Sequence, residues 1–352
     1  MVRMRFFVLT AALVLILSAC TDTGNYERFD KIYLGQFDTY ITFIAFARSQ
    51  YSFDTAADAV RAVIELDGKL FDIYNEYEGM NNLKTINDNA GILPVPVDDI
   101  LLDLLEFAVE VHELTDGVVN VAIGPVLRIW HEYRTKDDGT LPSLDLLRKH
   151  AAFTNIDDVM IDRQNGTVFL VQEGMSLDVG AIAKGFTARR VLEAAKASGI
   201  TSALINMGGD VATTGKPMDG RDRWAIGINN PFLDDEGRRG IMDTVYVNDM
   251  ALASSGNYER FYIVDGISYS HIIDPETLFP AMNFAGVTVL HPDAALAEAL
   301  STALFILPLS QGRKLLDKVG AQGMWVTPDG AVETTTGYDA MSQKQSGYSA
   351  FD

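Results

Sequence analysis

Between Asp178 and Gly215 the sequence concentrates glycine and polar residues. D-V-G-A-I-A-K-G opens the stretch, and I-N-M-G-G-D, ending at Asp210, follows a helical interval. Glycine lets main-chain groups come close to a ligand, and a cation in the first helical turn reinforces the positive helix N-terminus. Gly180 and Lys184 therefore make a workable seat for phosphate. The stretch is neither a Walker loop nor G-x-G-x-x-G. The same residues also fit a plain helix start, capped by Asp178, with Lys184 in water.

Two further clusters carry groups that act on protons or metals. S-S-G-N-Y-E-R, Ser254 to Arg260, precedes Y-S-H-I-I-D-P-E-T, in which His271 falls late in an expected strand beside Asp274 and Pro275. Histidine takes a proton from a hydroxyl near neutral pH, and strand ends often present such groups. A structural histidine on a strand fits the same residues. In the expected helix Asp293 to Phe305, Glu298 and Thr302 are four apart and share a face. Both are hard oxygen donors and, with a main-chain carbonyl, supply part of a magnesium shell that keeps waters. A solvated polar stripe has the same spacing.

These residues need elements to hold them. Tyr33 to Ala47 reads as strand, Ala56 to Tyr74 and Asp98 to Leu114 as helices, and Val159 to Asp162 with Thr167 to Val171 as a hairpin turning at Asn165-Gly166. A helix from Ala181 to Ala197 ends before Gly199. Strands follow at Ser202 to Asn206, Trp224 to Asn229, Thr244 to Val247, Phe261 to Val264, Tyr269 to Ile273 and Val287 to Leu290. The helix Gln311 to Val319 closes the pattern. The expected fold is α+β, a single compact domain over residues 31–336 with antiparallel sheet and flanking helices. Residues 337–352, polar and aperiodic, read as a poorly ordered tail.

The first residues set an expected location. Arg3 and Arg5 precede the apolar run Phe6 to Leu17, too short for a comfortable span, and Leu17-Ser18-Ala19-Cys20 is the pattern a lipoprotein signal peptidase reads. Residues 1–19 are expected to be a signal peptide, Cys20 the lipidated residue, and 20–30 a tether. Cys20 is the sole cysteine, so no intrachain disulfide is available and the core must hold the fold. The formal charge of −20 makes nucleic acid an improbable partner. A dinucleotide would be repelled too, unless its cleft holds local cations or a metal.

Six motifs in this order resemble the ApbE family, the FAD:protein FMN transferases. They are T-D-G-V-V-N-V-A-I-G-P-V at Thr115 to Val126, D-V-G-A-I-A-K-G-F at Asp178 to Phe186, I-N-M-G-G-D, S-S-G-N-Y-E-R-F, H-I-I-D-P-E-T, and the segment Val287 to Phe305. The resemblance extends from about Tyr33 to about Val326. It implies that FAD is the substrate, contacted by Asp178 and Lys184, by Tyr74 covering the flavin, by the loop Val118, Val119 and Asn120, and by Phe37 and Ile272. It implies Mg²⁺ held by the Ala181 carbonyl, Glu298 and Thr302, and His271 as proton acceptor. The implied reaction moves FMN to a Thr or Ser hydroxyl of a client flavoprotein of the cell envelope, with AMP leaving; phosphoryl transfer of this kind relies on positioning and charge neutralisation. Here Glu298 stands where the family usually has Asp, Asn120 where it has an acid, Phe37-Asp38-Thr39 where it has Met-Gly-Thr, and Asn81-Asn82 where it has Ser-Glu. An FAD pyrophosphatase, with water as acceptor, and a non-catalytic flavin-binding lipoprotein are the alternatives.

Overall fold

The computed structural model of the chain describes residues 25–136, 138–234, 236–258 and 260–346. The expected signal peptide and Cys20 lie outside the described residues, as does 347–352. Strands β1 (Glu27–Gln36) and β2 (Thr39–Ala47) pair antiparallel, with Glu27 opposite Ala47. The segment expected as one strand thus folds back on itself. Its turn residues Phe37 and Asp38 have φ of 56° and 51°, the left-handed backbone that a two-residue hairpin loop demands. The tether expected to reach residue 30 also stops sooner, because Glu27 to Asp30 already have ladder partners on β2.

Helix α1 (Gln50–Leu70) starts where the Ser49 side chain accepts the Ser52 N–H, a cap that contributes about 1 kcal/mol. Phe53, Ala56, Val60, Ile64, Asp67 and Leu70 form its buried stripe. It ends short of Tyr74 because the Asp72 carboxylate accepts the main-chain N–H of Tyr74 and Asn75 and the hydroxyl of Tyr77, fixing a turn there. Next come α2 (Leu83–Asp88), β3 (Val95–Pro96), α3 (Asp99–Leu114), α4 (Gly124–Lys136), α5 (Leu144–Ala151), β4 (Val159–Asp162) and β5 (Thr167–Leu170). The last two are the expected hairpin. The sequence reading assigns no helix to α4 or α5; α4 opens on Gly124-Pro125, turn-like in sequence, although proline is well suited to a first helical turn.

The remainder is α6 (Ala183–Ala197), β6 (Ala203–Met207), β7 (Asp210–Thr214), β8 (Trp224–Asn229), β9 (Ile241–Val247), β10 (Ala251–Gly256), β11 (Phe261–Val264), β12 (Ile267–Ser270) and β13 (Gly286–His291). Helices α7 (Ala294–Ile306) and α8 (Leu309–Val319), strands β14 (Gln322–Val326) and β15 (Val332–Thr334), and helices α9 (Thr336–Asp339) and α10 (Gln343–Ser346) complete it. Among the described residues the main sheet has eight strands, ordered β1-β2-β6-β7-β10-β13-β14-β15, every pairing antiparallel. The α+β expectation holds. None of the described helices is long and apolar enough to cross a membrane.

Helices α1, α6 and α7 cover one face of this sheet, burying Ala251, Ala253, Val287, Val289 and Trp325. The hairpin β8–β9 covers the other, where Leu252, Leu290, Met324 and Val326 meet Ile226, Val245 and Tyr338. With both faces buried, the central strands lack the polar alternation of a half-exposed sheet. Tyr338 belongs to the expected tail, yet it is fully buried, and its hydroxyl donates to Asp243 at 2.9 Å while that of Ser342 donates at 2.7 Å. The segment is ordered there because the second core needs that ring and Asp243 needs those donors. A third cluster joins α4 and α5 to hairpin β11–β12 through Trp130, Leu147, Tyr262, Val264 and Ile273.

Candidate functional site

Helix α7 is apolar on every side, and Glu298 is its one charged residue. Only 3 % of Glu298 is exposed, which excludes a solvated stripe and requires that its charge be paired. The partner is Lys184, in the first turn of α6, whose ammonium bonds one carboxylate oxygen, while the main-chain N–H of Gly185 donates to the other at 2.7 Å. Gly185 permits the approach, since a Cβ there would stand 2.3 Å from the Ala294 carbonyl oxygen. The ammonium also donates to Asp210 at 2.6 Å, at the start of β7, and Asp210 in turn accepts the N–H of Ser254. Burial pulls the Lys184 pKa down, but Asp210 and Glu298 outweigh it and the group stays charged, held above its ordinary value. Burial, with Asp210 adding to it, pushes Glu298 up against the pull of Lys184.

Two carboxylates thus share one ammonium, a formal excess of one negative charge. With Thr302 one turn along α7 and Ala181 just before α6, its donors are hard oxygens, and the excess charge suits a divalent cation. Residues Ala181, Glu298 and Thr302 therefore fit Mg²⁺ in donor chemistry and in charge. Among the described residues no group of three or more His, Cys, Asp or Glu is gathered as a metal cage. Lys184 is ion-paired rather than free in water, and Asp178 does not cap α6. The α6 N-cap is Ile182, without a side-chain bond, and Asp178 accepts the N–H of Gly180 at 2.8 Å in a turn before the helix.

That turn lies against the 118–121 loop, where the Asp178 N–H donates to the Val121 carbonyl at 2.8 Å. The Asn120 side chain accepts the Ala122 N–H and donates to the Thr154 carbonyl, so it shapes this loop. Val118 is half-buried beside it. Val119 is buried in the main core, as is Ile272, so neither side chain lines an open surface. Phe37, at the β1–β2 turn, rests its half-buried ring 6.5 Å from that of Phe71. Tyr74 is exposed, with its ring 6.3 Å from His131 of α4. Burial raises the Asp178 pKa, opposed by the Gly180 bond and by the charge of Arg260.

His271 follows directly on β12. Its main-chain N–H donates to the Arg260 carbonyl at 3.0 Å, and its ring Nδ1 lies 3.3 Å from the same oxygen. A carbonyl accepts only, so Nδ1 carries the hydrogen and the Nε2 lone pair stays available. Burial, then the charges of Arg260, Arg134 and Lys184, lower the ring pKa to about 4 and keep it neutral. Asp274, adjacent in sequence, is spent on the following turn, where it accepts from Glu276 and Thr277. Trp130 of α4 donates to the Leu278 carbonyl at 2.8 Å and so fastens the whole segment.

The structure therefore joins Lys184 to Asp210 and Glu298, sets Asp178 against the 118–121 loop, pairs His271 with the Arg260 carbonyl, and leaves Val119 and Ile272 in the core. Asp210, His131, Arg134 and Arg260 have no role that their local sequence marks. Asp210 and Arg260 do stand inside quoted motifs, whereas His131 and Arg134 sit on a helix the sequence does not announce.

Comparison with known proteins gives the family and the fold. A family model described as the ApbE family matches residues 37–325. The FAD:protein FMN transferase of Treponema pallidum is 35% identical over 271 residues, 72% of this chain and 73% of that protein. That of Klebsiella pneumoniae is 32% identical over 256 residues, 70% of this chain and 77% of its own length. The crystal structure of the ApbE protein from Thermotoga maritima superposes with a TM-score of 0.78 at 28% identity, covering 90% of this chain and 99% of that one. The flavin transferase ApbE from Vibrio cholerae gives 0.76 at 21% identity, covering 90% and 100%, a likeness of fold.

Proposed function

The chain belongs to the ApbE family, and from that premise we propose that it is an enzyme moving FMN from FAD to a Thr or Ser hydroxyl of another protein. The observation that carries this reading is the likeness to the Treponema and Klebsiella transferases over 72% and 70% of the chain. The client hydroxyl attacks the FMN-side phosphorus, a bond from oxygen to that phosphorus forms, the bond to the AMP oxygen breaks, and AMP leaves. Nε2 of His271 takes the hydroxyl proton. Its Nδ1, donating to the Arg260 carbonyl, fixes the ring plane in which that lone pair points. Lys184 holds Asp210 and Glu298 in place, and Asp178 with the 118–121 loop lies where the flavin nucleotide would be received. Magnesium, held by Ala181, Glu298 and Thr302, would supply charge neutralisation on the diphosphate.

The location is part of the proposal. Arg3, Arg5, the apolar run and Cys20 support export and a lipid anchor, with client flavoproteins in the cell envelope. Cys20→Ala should move the protein from the membrane to the soluble fraction; retention at the membrane would remove the anchor. The reaction is tested by incubating the protein with FAD, Mg²⁺ and a Thr-containing client domain, with mass spectrometry reading one added FMN. FMN and AMP accumulating without an adduct would make the protein a pyrophosphatase. Tight FAD binding without turnover would make it a flavin carrier.

A further inference from the structure

Lys184, the cation that the sequence offers to phosphate, is already shared by two carboxylates. In a protein of net charge −20, a diphosphate needs positive charge from elsewhere. Arg134, on the last turn of α4, is half-buried, and its guanidinium donates to Nδ1 of His131 at 3.0 Å. No carboxylate among the described residues is within ion-pair distance of it. Arg260 offers its main-chain carbonyl to Nδ1 of His271, and among the described residues its side chain has one loose, exposed ion pair, 3.7 Å from Asp38. Such a contact contributes little and is readily exchanged.

Both arginines act on one place. Arg260 and Arg134 are, after burial, the leading charges on the His271 ring, and both lie within electrostatic reach of Tyr74. They also act on each other: burial and then Arg260 lower the Arg134 pKa, so the two cations are close enough to repel. Asp178 and Asp38 offset part of this charge, and an entering anion would relieve the remaining repulsion between the two guanidinium groups. A dinucleotide's diphosphate carries two negative charges and offers oxygens that suit the planar guanidinium fork.

We propose that Arg134 and Arg260 form a two-pronged clamp for the diphosphate of the dinucleotide substrate, holding it beside His271. The clamp rests in part on the transferase reading, since that reading supplies the diphosphate. It assigns α4 a substrate-binding role besides its packing role through Trp130. It also gives His271 a reason to sit among cations, because a bound diphosphate offsets them as the hydroxyl proton arrives.

The test compares Arg134→Gln and Arg260→Gln with the unaltered protein in calorimetric titrations of FAD, riboflavin and inorganic diphosphate, the last in EDTA so that no divalent ion bridges. Each variant should lose about tenfold in affinity for FAD and for diphosphate, the scale of one charge-assisted hydrogen bond, and keep its affinity for riboflavin. Arg134→Lys should recover part of the loss. Unchanged FAD and diphosphate affinities, or an equal loss for riboflavin, would overturn the clamp, since a packing defect does not distinguish the ligands. If the unaltered protein binds diphosphate with these arginines but not FAD, the clamp stands and the flavin reading falls. Binding of neither overturns both.

Discussion

The carbonyl oxygen of Arg260 accepts from His271 twice, from its main-chain N–H at 3.0 Å and from its ring Nδ1 at 3.3 Å. The two bonds fix backbone and ring together, so the tautomer and the ring plane are set by the fold before any substrate arrives. A base pinned in this way has one nitrogen to offer, and its rotation is already limited.

The pH profile should carry the mark of that environment. Burial and the charges of Arg260, Arg134 and Lys184 lower the His271 pKa from 6.5 to about 4, so the neutral form persists well into acid. The acid limb of kcat/KM, which reports the free enzyme, should therefore fall well below pH 6.5. Arg134→Gln removes one of those charges and should move the limb upward. A limb at 6.5 in both proteins would show that His271 is solvated or is not the base. His271→Ala should retain FAD binding and lose transfer.

Glu298→Gln tests the buried charge cluster. The change leaves Asp210 and Lys184 as a matched pair and removes the excess negative charge, so Mg²⁺ affinity measured by calorimetry should drop on the order of tenfold or more. The variant should remain folded, because the other partner of Lys184, Asp210, survives. Unchanged Mg²⁺ affinity would place the metal elsewhere. Thr302→Ala should raise the Mg²⁺ requirement by the loss of one oxygen donor.

How far the site was legible in the sequence depends on what each residue does locally. Helix α7 announces itself through its cap Asp293 and its unbroken apolar content, and Glu298 stands out as a charge within it. The hairpin β4–β5 is equally plain from Asn165-Gly166. Strands β7 and β10 are not, for D-V-A-T-T and A-L-A-S-S-G are small residues, chosen because helices and a second hairpin press on both faces, and small residues read as loop. In β14 the reason is visible at Gly323, where a Cβ would lie 2.7 Å from Leu316. The Lys184–Asp210–Glu298 cluster joins residues 26 and 114 positions apart, and nothing local marks Asp210 as its third member. Arg134 is hidden for another reason: its helix is held by Trp130 and hairpin β11–β12, a tertiary contact that outweighs a weak local pattern.

The C-terminal segment should behave as part of the core. Tyr338→Phe withdraws one of the hydroxyl donors to the buried Asp243 and should cost about 1–3 kcal/mol in denaturant unfolding. Removing residues from 336 onward should cost more, since it uncovers Val245 and Met324 as well. Equal stability of the truncated and full chains would return the segment to the status of a tail.

The pair Asp67 and Arg190 ties α1 to α6, two of the helices that cover one face of the main sheet. Asp67 is fully buried, and Arg190 Nε reaches both its oxygens, at 3.0 and 3.2 Å. Burial raises the Asp67 pKa from 3.8 to about 6, and Arg190 opposes that rise. Arg190→Met should therefore leave an uncompensated buried carboxylate and destabilise the protein at pH 8 by about 3–5 kcal/mol. The sign of the pH dependence follows from the folded value lying above the unfolded one: the folded state binds the proton more tightly, so the penalty grows as pH rises and shrinks as pH falls below about 6. Without Arg190 the folded pKa rises further, so recovery should begin at a higher pH. Denaturant midpoints of the variant at pH 5 and pH 8, each set against the unaltered protein, measure this; a penalty independent of pH would mean that Arg190 contributes packing rather than charge.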